Sequence, residues 1–408
     1  MNKKIVIIGG GYGGTETLRQ LILRKVENIE IELITNKKYF ENIIGCAEII
    51  SEKIKVEELA YDLENASRQW NFELTVGNVE SIDLNRKKLK VDGKEKTYDV
   101  LVVAVGAKPN FFNVIGANLA LPAHTLTDFI NIHEKLTQLD LENPHIVVVG
   151  AGFVGLEIVA ELLDFFKIKN RNGKVTVVDK MNSIMPMYNN DLARKIAHEY
   201  FISRGTNFLL GKGVKEIEKE RCILEDGSTV EADITIWAAG VQSPEITSKI
   251  IGANLYKGYI EVDKRLLING SADSFAIGDA AFIKINGTIA QKMAAEALEE
   301  AKTVAKNIGL IAYGHKPSFT HVIQYTTDFP KAILSIGEDK AILIGSEIPS
   351  YLEAAPNILH RLIYMPGIDR IIDAFSKVIS GPKYASMGTM EYLLKKKIVT
   401  EEIMGRLP

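Results

Sequence analysis

Two short glycine-rich segments have the spacing that binding of a pyrophosphate requires. In a Gly-x-Gly-x-x-Gly turn, the first glycine permits a tight turn and the second allows close approach of the backbone to the phosphates. The third glycine lets the following helix pack on the preceding strand, and the amide groups at the start of that helix bind the phosphates. The glycines that match this pattern are Gly9, Gly11 and Gly14 in the first segment and Gly150, Gly152 and Gly155 in the second.

Each glycine turn lies between a predicted strand and a predicted helix. Residues 4–8 are an apolar, mostly β-branched run that ends at glycines, which predicts a buried parallel strand. The predicted elements are strand 4–8, helix 15–25 and strand 29–35 in the first copy, and strand 145–149, helix 156–166 and strand 174–178 in the second. This internal repeat predicts an α/β protein with two nucleotide-binding units.

The two copies differ in the residue at the end of the second strand. Asp179 in the second copy can accept hydrogen bonds from the 2′-hydroxyl of an adenosine ribose, which favours NAD(H) over the phosphorylated cofactor. The first copy ends in Thr35 and Asn36, whose uncharged side chains either bind a ribose hydroxyl or only cap a turn. Different strand ends indicate that the two turns bind different nucleotides.

The composition excludes several classes of function. The chain has 408 residues, which favours two or three domains. Its 49 Lys and Arg residues are balanced by 52 Asp and Glu residues, so no global positive field favours nucleic acid. Two cysteines leave no zinc cluster and indicate a reducing compartment, and we predict no metal site. No apolar stretch approaches the roughly 18 residues that span a bilayer. We therefore expect a protein on the cytoplasmic side, soluble or lying on a membrane surface.

Further segments carry a resemblance to a known family. These segments are residues 98–106 (YDVLVVAVG), 236–241 (IWAAGV), 275–279 (FAIGD) and 290–291 (AQ). Their order resembles that of the two-dinucleotide-binding-domain flavoproteins. Within that group the chain looks like type II NADH dehydrogenase, the single-chain NADH:quinone oxidoreductase, most closely at residues 110–116 and 237–241. The resemblance covers about residues 1–310.

The resemblance implies two Rossmann-like dinucleotide-binding domains, one for FAD and one for NADH, followed by a small C-terminal domain with an amphipathic helix. The implied FAD domain consists of residues 1–115 and 259–317, with an NADH domain of residues 116–258 inserted between these stretches. The C-terminal domain would be residues 318–408.

The resemblance also implies which residues bind the two cofactors. Asp279 would hydrogen-bond the ribityl chain of FAD, with a structural turn residue as the alternative. The implied FAD-binding residues are Gly9, Gly11, Gly14, Thr35, Asn36, Ala104, Gly106, Gly278 and Asp279. The implied NADH-binding residues are Gly150, Gly152, Gly155, Asp179 and Gly240.

Two residues are implied as catalytic. Glu157 matches the family's acidic residue near the flavin and the nicotinamide, where a partly desolvated carboxylate could have a raised pKa and pass protons to a reduced quinone. The alternative is a carboxylate that only complements the helix dipole. Gln291 matches the first of two glutamines in the family's quinone site. Ala295 stands at the second, and the adjacent Glu296 could replace that glutamine only with a shifted helix face. Residues 328–331 (DFPK) stand in place of the family's Asp-Lys-Gly segment.

The expected reaction is hydride transfer from NADH to flavin, followed by transfer of two electrons to a quinone.

The absence of a close cysteine pair excludes glutathione-reductase-like and thioredoxin-reductase-like chemistry. One alternative is a single-cysteine NADH oxidase, or a disulfide- or sulfide-related flavin reductase, that uses Cys46. Cys46 is otherwise a small buried hydrophobe, and Cys222 is expected to be structural. An alternative of another class is a non-catalytic flavin-binding sensor.

The C-terminal stretch contains an amphipathic pattern. Apolar residues recur at helical spacing over residues 368–379, and Lys395, Lys396 and Lys397 follow. An apolar face beside basic residues suits an anionic membrane surface. The alternative is packing on the body of the protein or on a second copy in a homodimer. We expect a peripheral protein on the inner, cytoplasmic face of the cell membrane.

Overall fold

The computed structural model describes residues 2–326, 332–337 and 340–344. The amphipathic pattern at residues 368–379, the lysines at 395–397 and the segment 328–331 lie outside the described residues. Within the described residues, no helix is both long enough and apolar enough to cross a bilayer.

Two parallel five-stranded sheets organise the chain. Their strands are β1 (Lys3–Ile8), β2 (Ile29–Thr35), β3 (Glu73–Val76), β4 (Val100–Val103), β5 (Leu121–Pro122), β6 (His145–Val149), β7 (Lys174–Asp179), β8 (Asn207–Leu210), β9 (Ile234–Trp237) and β10 (Ser274–Ala276). The α-helices are α1 (Tyr12–Leu23), α2 (Leu63–Trp70), α3 (Leu126–Gln138), α4 (Phe153–Ile168), α5 (Asp191–Ser203) and α6 (Ala294–Ala312).

The first sheet has the strand order β10-β4-β1-β2-β3, and every neighbouring pair is parallel. Ile5, Val6 and Ile7 of the central strand are fully buried, as expected for a strand that is covered on both faces. Helix α1 packs against α6, although the two are far apart in the chain. The first sheet is therefore completed by a strand and a helix that follow the whole second sheet.

The second sheet has the strand order β5-β9-β6-β7-β8 and is also parallel throughout. Its core includes side chains of α4 and also those of a hairpin formed by β11 (Ala332–Gly337) and β12 (Lys340–Ile344). Leu334 and Ile336 of that hairpin are buried in this core. This hairpin thus packs directly on the second unit, whereas Phe319, His321 and Tyr325 hydrogen-bond to α6.

Smaller sheets and short helices connect and flank the two units. The remaining strands are Tyr39–Glu41, Ala60–Asp62, Val79–Asp83, Lys88–Val91, Lys94–Thr97, Lys108–Pro109, Val214–Ile217, Arg221–Leu224, Thr229–Glu231, Val241–Gln242, Ile250–Ile251, Leu255–Tyr256, Tyr259–Glu261, Ala281–Phe282, Lys284–Ile285 and Thr288–Ile289. The 3-10 helices are Ile43–Ile49, Val56–Glu58, Ala117–Leu119, Glu245–Lys249 and Gly278–Ala280.

The predicted fold class, an α/β chain with two Rossmann-like units, is confirmed. Both helices that follow the glycine turns begin earlier than the sequence pattern indicated, at Tyr12 and at Phe153. The last glycine of each turn lies inside the first helical turn, because close packing there outweighs its poor helix propensity.

Candidate active site

The first glycine turn has the geometry of a phosphate-binding loop. Gly9 has φ of +113°, and a Cβ atom there would lie 2.1 Å from the carbonyl oxygen of Ala104. A Cβ atom at Gly14 would lie 1.9 Å from the carbonyl oxygen of Gly9. At Gly11, the residue that precedes α1, a Cβ atom would meet none of the described atoms within 4 Å. The outer glycines are thus required by the fold, whereas the middle glycine leaves space at the start of a helix.

The second glycine turn repeats this geometry. Gly150 has φ of +111°, and a Cβ atom there would lie 2.6 Å from the carbonyl oxygen of Ala238. At Gly155 it would lie 1.9 Å from the carbonyl oxygen of Gly150. Gly152, which precedes α4, again faces open space among the described atoms. The two turns are therefore similar in their backbone contacts as well as in their glycine spacing.

The strand next to each turn repeats as well. Ala104 follows β4 and Ala238 follows β9, and the amide of each donates to a residue of the strand that precedes the turn, both at 2.8 Å. Two residues later, Gly106 and Gly240 both have positive φ, of +68° and +123°. Ala104, Gly106 and Gly240, predicted as cofactor-binding residues, thus lie at the carboxyl ends of the sheets, where ligands bind in folds of this type.

The residues at the ends of β2 and β7 have different contacts. The hydroxyl of Thr35 accepts a hydrogen bond from the amide of Lys37 at 3.3 Å, and the neighbouring Asn36 is exposed. The carboxylate of Asp179 accepts from the amide of Ala151 at 2.6 Å and from that of Met181 at 2.7 Å. Asp179 therefore ties the strand end to its own glycine turn, and its oxygens keep further lone pairs for a ribose hydroxyl.

Asp279 lies in a short turn after β10, beside the first glycine turn. Gly278 has φ of +64°, and the preceding Ile277 lies against Gly13 in the first turn of α1. Burial raises the pKa of Asp279 above its ordinary value, although Lys292 and His124 act in the opposite direction. A polar ligand that displaces water from this turn would meet a carboxylate that has few protein partners to stabilise its charge.

Glu157 lies near the start of α4, where the second unit faces the first. Its neighbour Tyr188 packs against Phe153, with ring centroids 4.1 Å apart and ring planes inclined by 38°. Burial and the charge of Glu157 raise the pKa of Tyr188 to about 12. The hydroxyl of Tyr188 donates to the sulfur of Met293 at 3.7 Å, just before α6. Tyr188 therefore connects the predicted catalytic carboxylate to the segment that carries Gln291.

Gln291 lies at the same junction. Its Nε2 donates to the carbonyl oxygen of Met187 at 3.1 Å, and its backbone amide donates to the carbonyl oxygen of Tyr325 at 3.1 Å. Its Oε1 is buried and has no hydrogen-bond partner among the described residues. A buried acceptor without a donor costs free energy, so this atom indicates a position where a ligand or water donates a hydrogen bond.

The structure also reveals three buried titratable residues that the sequence reasoning did not assign to the site. Glu296 accepts from Nε2 of His321 at 2.6 Å and from the amides of Gln324 and Tyr325 at 3.0 and 2.8 Å. Glu300, one turn further along α6, accepts from the amide of Gly278 at 2.6 Å. The spacing of Glu296 and Glu300 in an apolar helical pattern is the signal that could have indicated two buried carboxyl groups.

The two cysteines have no access to the junction. Cys46 is 0% exposed in the core of the second unit, and burial raises the pKa of its thiol. Cys222 is also buried, with its sulfur 3.3 Å from the hydroxyl of Thr235, and burial raises its pKa. A thiol with a raised pKa is a poor nucleophile at neutral pH, which argues against redox chemistry at Cys46.

Two Rossmann-like units, each with a parallel sheet and a glycine turn, meet where ionisable side chains are located. This arrangement is typical of oxidoreductases that bind two dinucleotides. The chain belongs to the pyridine nucleotide-disulphide oxidoreductase family, whose family model matches residues 3–303.

Individual relatives narrow the comparison. The chain is 25% identical over 371 residues to the type II NADH:quinone oxidoreductase of Staphylococcus saprophyticus subsp. saprophyticus, a match that covers 85% of this chain and 91% of that protein. It is also similar to the solved structure of NDH2 from Plasmodium falciparum in complex with NADH, with a TM-score of 0.77 at 17% identity. That match covers 94% of this chain and 99% of the other. The sulfide:quinone oxidoreductase of Aquifex aeolicus gives a TM-score of 0.74 at 21% identity over 86% of this chain and 85% of the other.

Proposed function

We propose that this protein is an FAD-dependent, non-proton-pumping NADH:quinone oxidoreductase of type II. The observation that carries the proposal is the pair of open glycine turns, one in each parallel sheet. The two units are joined by the hydrogen bonds of Tyr188 and Gln291, with Glu157 beside Tyr188. The relatives named type II NADH:quinone oxidoreductase support it, because the similarity covers most of both chains. FAD bound in the first unit would accept a hydride from NADH and supply two electrons to the quinone, which takes up two protons as it becomes a hydroquinone.

The first unit is the proposed FAD site. The open space at Gly11 accommodates the pyrophosphate at the start of α1, and Asp279 accepts a hydrogen bond from the ribityl chain. The other proposed contacts are Gly9, Gly14, Thr35, Asn36, Ala104, Gly106 and Gly278. The proposed domain limits follow the prediction, with residues 1–115 and 259–317 for FAD and residues 116–258 for NADH.

The second unit is the proposed NADH site. Gly152 leaves the corresponding space at the start of α4, and Asp179 accepts from the adenosine ribose. Gly150, Gly155 and Gly240 complete the proposed set. A negative carboxylate at this position also repels a 2′-phosphate, so the site prefers NADH to NADPH.

In this proposal, Glu157 and Gln291 act on the quinone, which is the electron acceptor. Glu157 holds a proton for delivery to the reduced quinone, and its position beside Tyr188 keeps the carboxyl close to the entry segment of α6. The unpartnered Oε1 of Gln291 accepts a hydrogen bond from a hydroxyl group of the quinone in its reduced, hydroquinone form. Attachment to the inner face of the cell membrane and formation of a homodimer stay predictions from residues 368–379 and 395–397.

The test is steady-state oxidation of NADH by the purified protein with quinone, oxygen and disulfide acceptors. We expect a yellow protein with about one flavin per chain, and turnover with quinone well above that with either rival acceptor. A Cys46→Ala variant should keep its quinone activity. Faster turnover with oxygen or a disulfide, lost in Cys46→Ala, would establish the single-cysteine alternative. Bound flavin with negligible turnover would establish the sensor alternative.

A further inference from the structure

Glu300 is a buried carboxyl group with an unusual partner. It lies on the inner face of α6 with 1% of its surface exposed, and its Oε2 accepts the hydrogen bond from the amide of Gly278. Gly278 begins the turn that carries Asp279. A carboxylate on one long helix therefore supports, from behind, the turn that our proposed function assigns to FAD.

Burying the ionisable carboxyl group of Glu300 costs folding free energy. Burial raises the pKa of Glu300 to about 7, while the Gly278 amide and His321 act to lower it and Glu296 and Asp279 act to raise it. Glu296 does not depend on this turn, since it is bound by His321 and two backbone amides. A glutamine at position 300 would accept the same amide hydrogen without a buried charge. An ionisable group with a raised pKa, hydrogen-bonded to the turn that our proposal assigns to FAD, points to a role beyond packing.

A second charged side chain holds the other end of the turn. The Nζ atom of Lys292 donates to the carbonyl oxygen of Asp279 at 2.7 Å and to that of Ala281 at 3.0 Å. The same ammonium group lies 3.7 Å from the ring centroid of Tyr259, within the range of a cation–π interaction. Lys292 precedes α6 and Glu300 lies within it, so one segment of chain binds the turn at both ends.

We propose that Glu300 and Lys292 are positioning residues that hold residues 278–281 in the conformation that binds FAD, and that protonation of Glu300 weakens this hold. The inference rests on the proposed FAD site. An ionised carboxylate makes a stronger hydrogen bond to an amide than a neutral carboxyl group does. As the pH falls through about 7, Glu300 takes up a proton and the turn is held less firmly. FAD should then dissociate more readily.

The experiment measures FAD release from the full-chain holoprotein by flavin fluorescence between pH 6 and pH 8.5. In the wild type, the dissociation constant should increase about fivefold as the pH falls across this range, because a charge-assisted bond becomes a neutral one. Glu300→Gln should retain FAD about as well as the wild type at pH 6 and show no such pH dependence. Glu300→Leu should bind FAD at least about tenfold more weakly at all pH values, because the Gly278 amide loses its acceptor.

Matched variants separate the two positioning residues from general effects on α6. Lys292→Met should weaken FAD binding and move the pH dependence to higher pH without abolishing it, because the lost ammonium group favours the ionised form of Glu300. Glu299→Gln changes the adjacent residue, whose carboxylate pairs with Lys302 instead, and should leave FAD release unchanged. Circular dichroism of each variant checks that the helices are intact. A pH dependence that persists in Glu300→Gln, or wild-type affinity in Glu300→Leu, would overturn the inference. Failure of the wild type itself to bind FAD would instead overturn the proposed function.

Discussion

The two glycine turns are nearly identical in backbone and differ in the side chains around them. In both, the first glycine has φ near +110° and a Cβ at the third would lie 1.9 Å from a carbonyl oxygen. Yet the residue two positions after the third glycine has a different role in each unit. Glu16 on α1 is 2% exposed and binds Arg19 of its own helix at 2.7 Å, whereas Glu157 on α4 lies beside Tyr188 at the junction.

This contrast separates the residues that the fold requires from the residues that are free to differ between the two units. The glycines are set by the approach of helix to strand, so the same solution appears twice. The strand ends Thr35 and Asp179 and the helical carboxylates Glu16 and Glu157 are free of that requirement. In our proposal, they are the positions at which two copies of one fold acquire different ligands and different tasks.

The largest expected effect comes from filling the open space in one turn at a time. Gly11→Leu should weaken FAD binding at least about 100-fold, because a side chain would occupy the space at the start of α1 and clash with the pyrophosphate. The matched Gly152→Leu variant should keep its flavin and raise the KM for NADH instead. Flavin absorbance and NADH titration measure the two outcomes. Flavin loss from Gly152→Leu alone would reverse the assignment of the two turns.

A smaller effect distinguishes Glu16 from Glu157, the carboxylates at matching positions in the two units. Glu157→Gln should lower kcat with quinone by about 100-fold, since it removes a proton-holding group, and should alter the pH profile of turnover. Glu16→Gln should reduce the free energy of unfolding by about 3 kcal/mol, because it leaves the buried Arg19 without its counter-charge. Its kcat should be unchanged at temperatures where the variant is folded. Equal losses of kcat in the two variants would contradict a chemical role that belongs to Glu157 alone.

The smallest effect concerns the strand ends. Asp179→Asn should narrow the preference for NADH over NADPH by about tenfold, mainly through KM, because the negative charge opposite the 2′-phosphate is removed. Thr35→Ala at the matching position should change FAD affinity by less than about threefold, since an uncharged hydroxyl makes one neutral hydrogen bond at most. Steady-state kinetics with both nucleotides provides the measurement. An unchanged ratio of kcat/KM values in Asp179→Asn would show that Asp179 does not contact the ribose.

Much of the fold and part of the candidate site could be predicted from the sequence. The glycine turns, the buried strands and the acidic end of β7 are local features, because each depends on a few consecutive residues. Tyr188 could not be assigned, since its importance comes from contacts with Phe153 and Met293, which lie far from it in the chain. Cys46 also needed the structure, because a cysteine near a nucleotide-binding strand can be either a redox thiol or a buried hydrophobe.

The sequence by itself determined that this protein has two nucleotide-binding units and which residues form their turns. The reason is that glycine turns and buried strands each depend on the types of a few consecutive residues. Only the tertiary structure decided which side chains meet across the junction and which support the cofactor turn. Glu300 contacts Gly278 because α6, at the far end of the first unit's chain, returns to cover the sheet where α1 lies. A contact between segments that are distant in sequence leaves no local pattern, so it becomes visible only when the chain is folded.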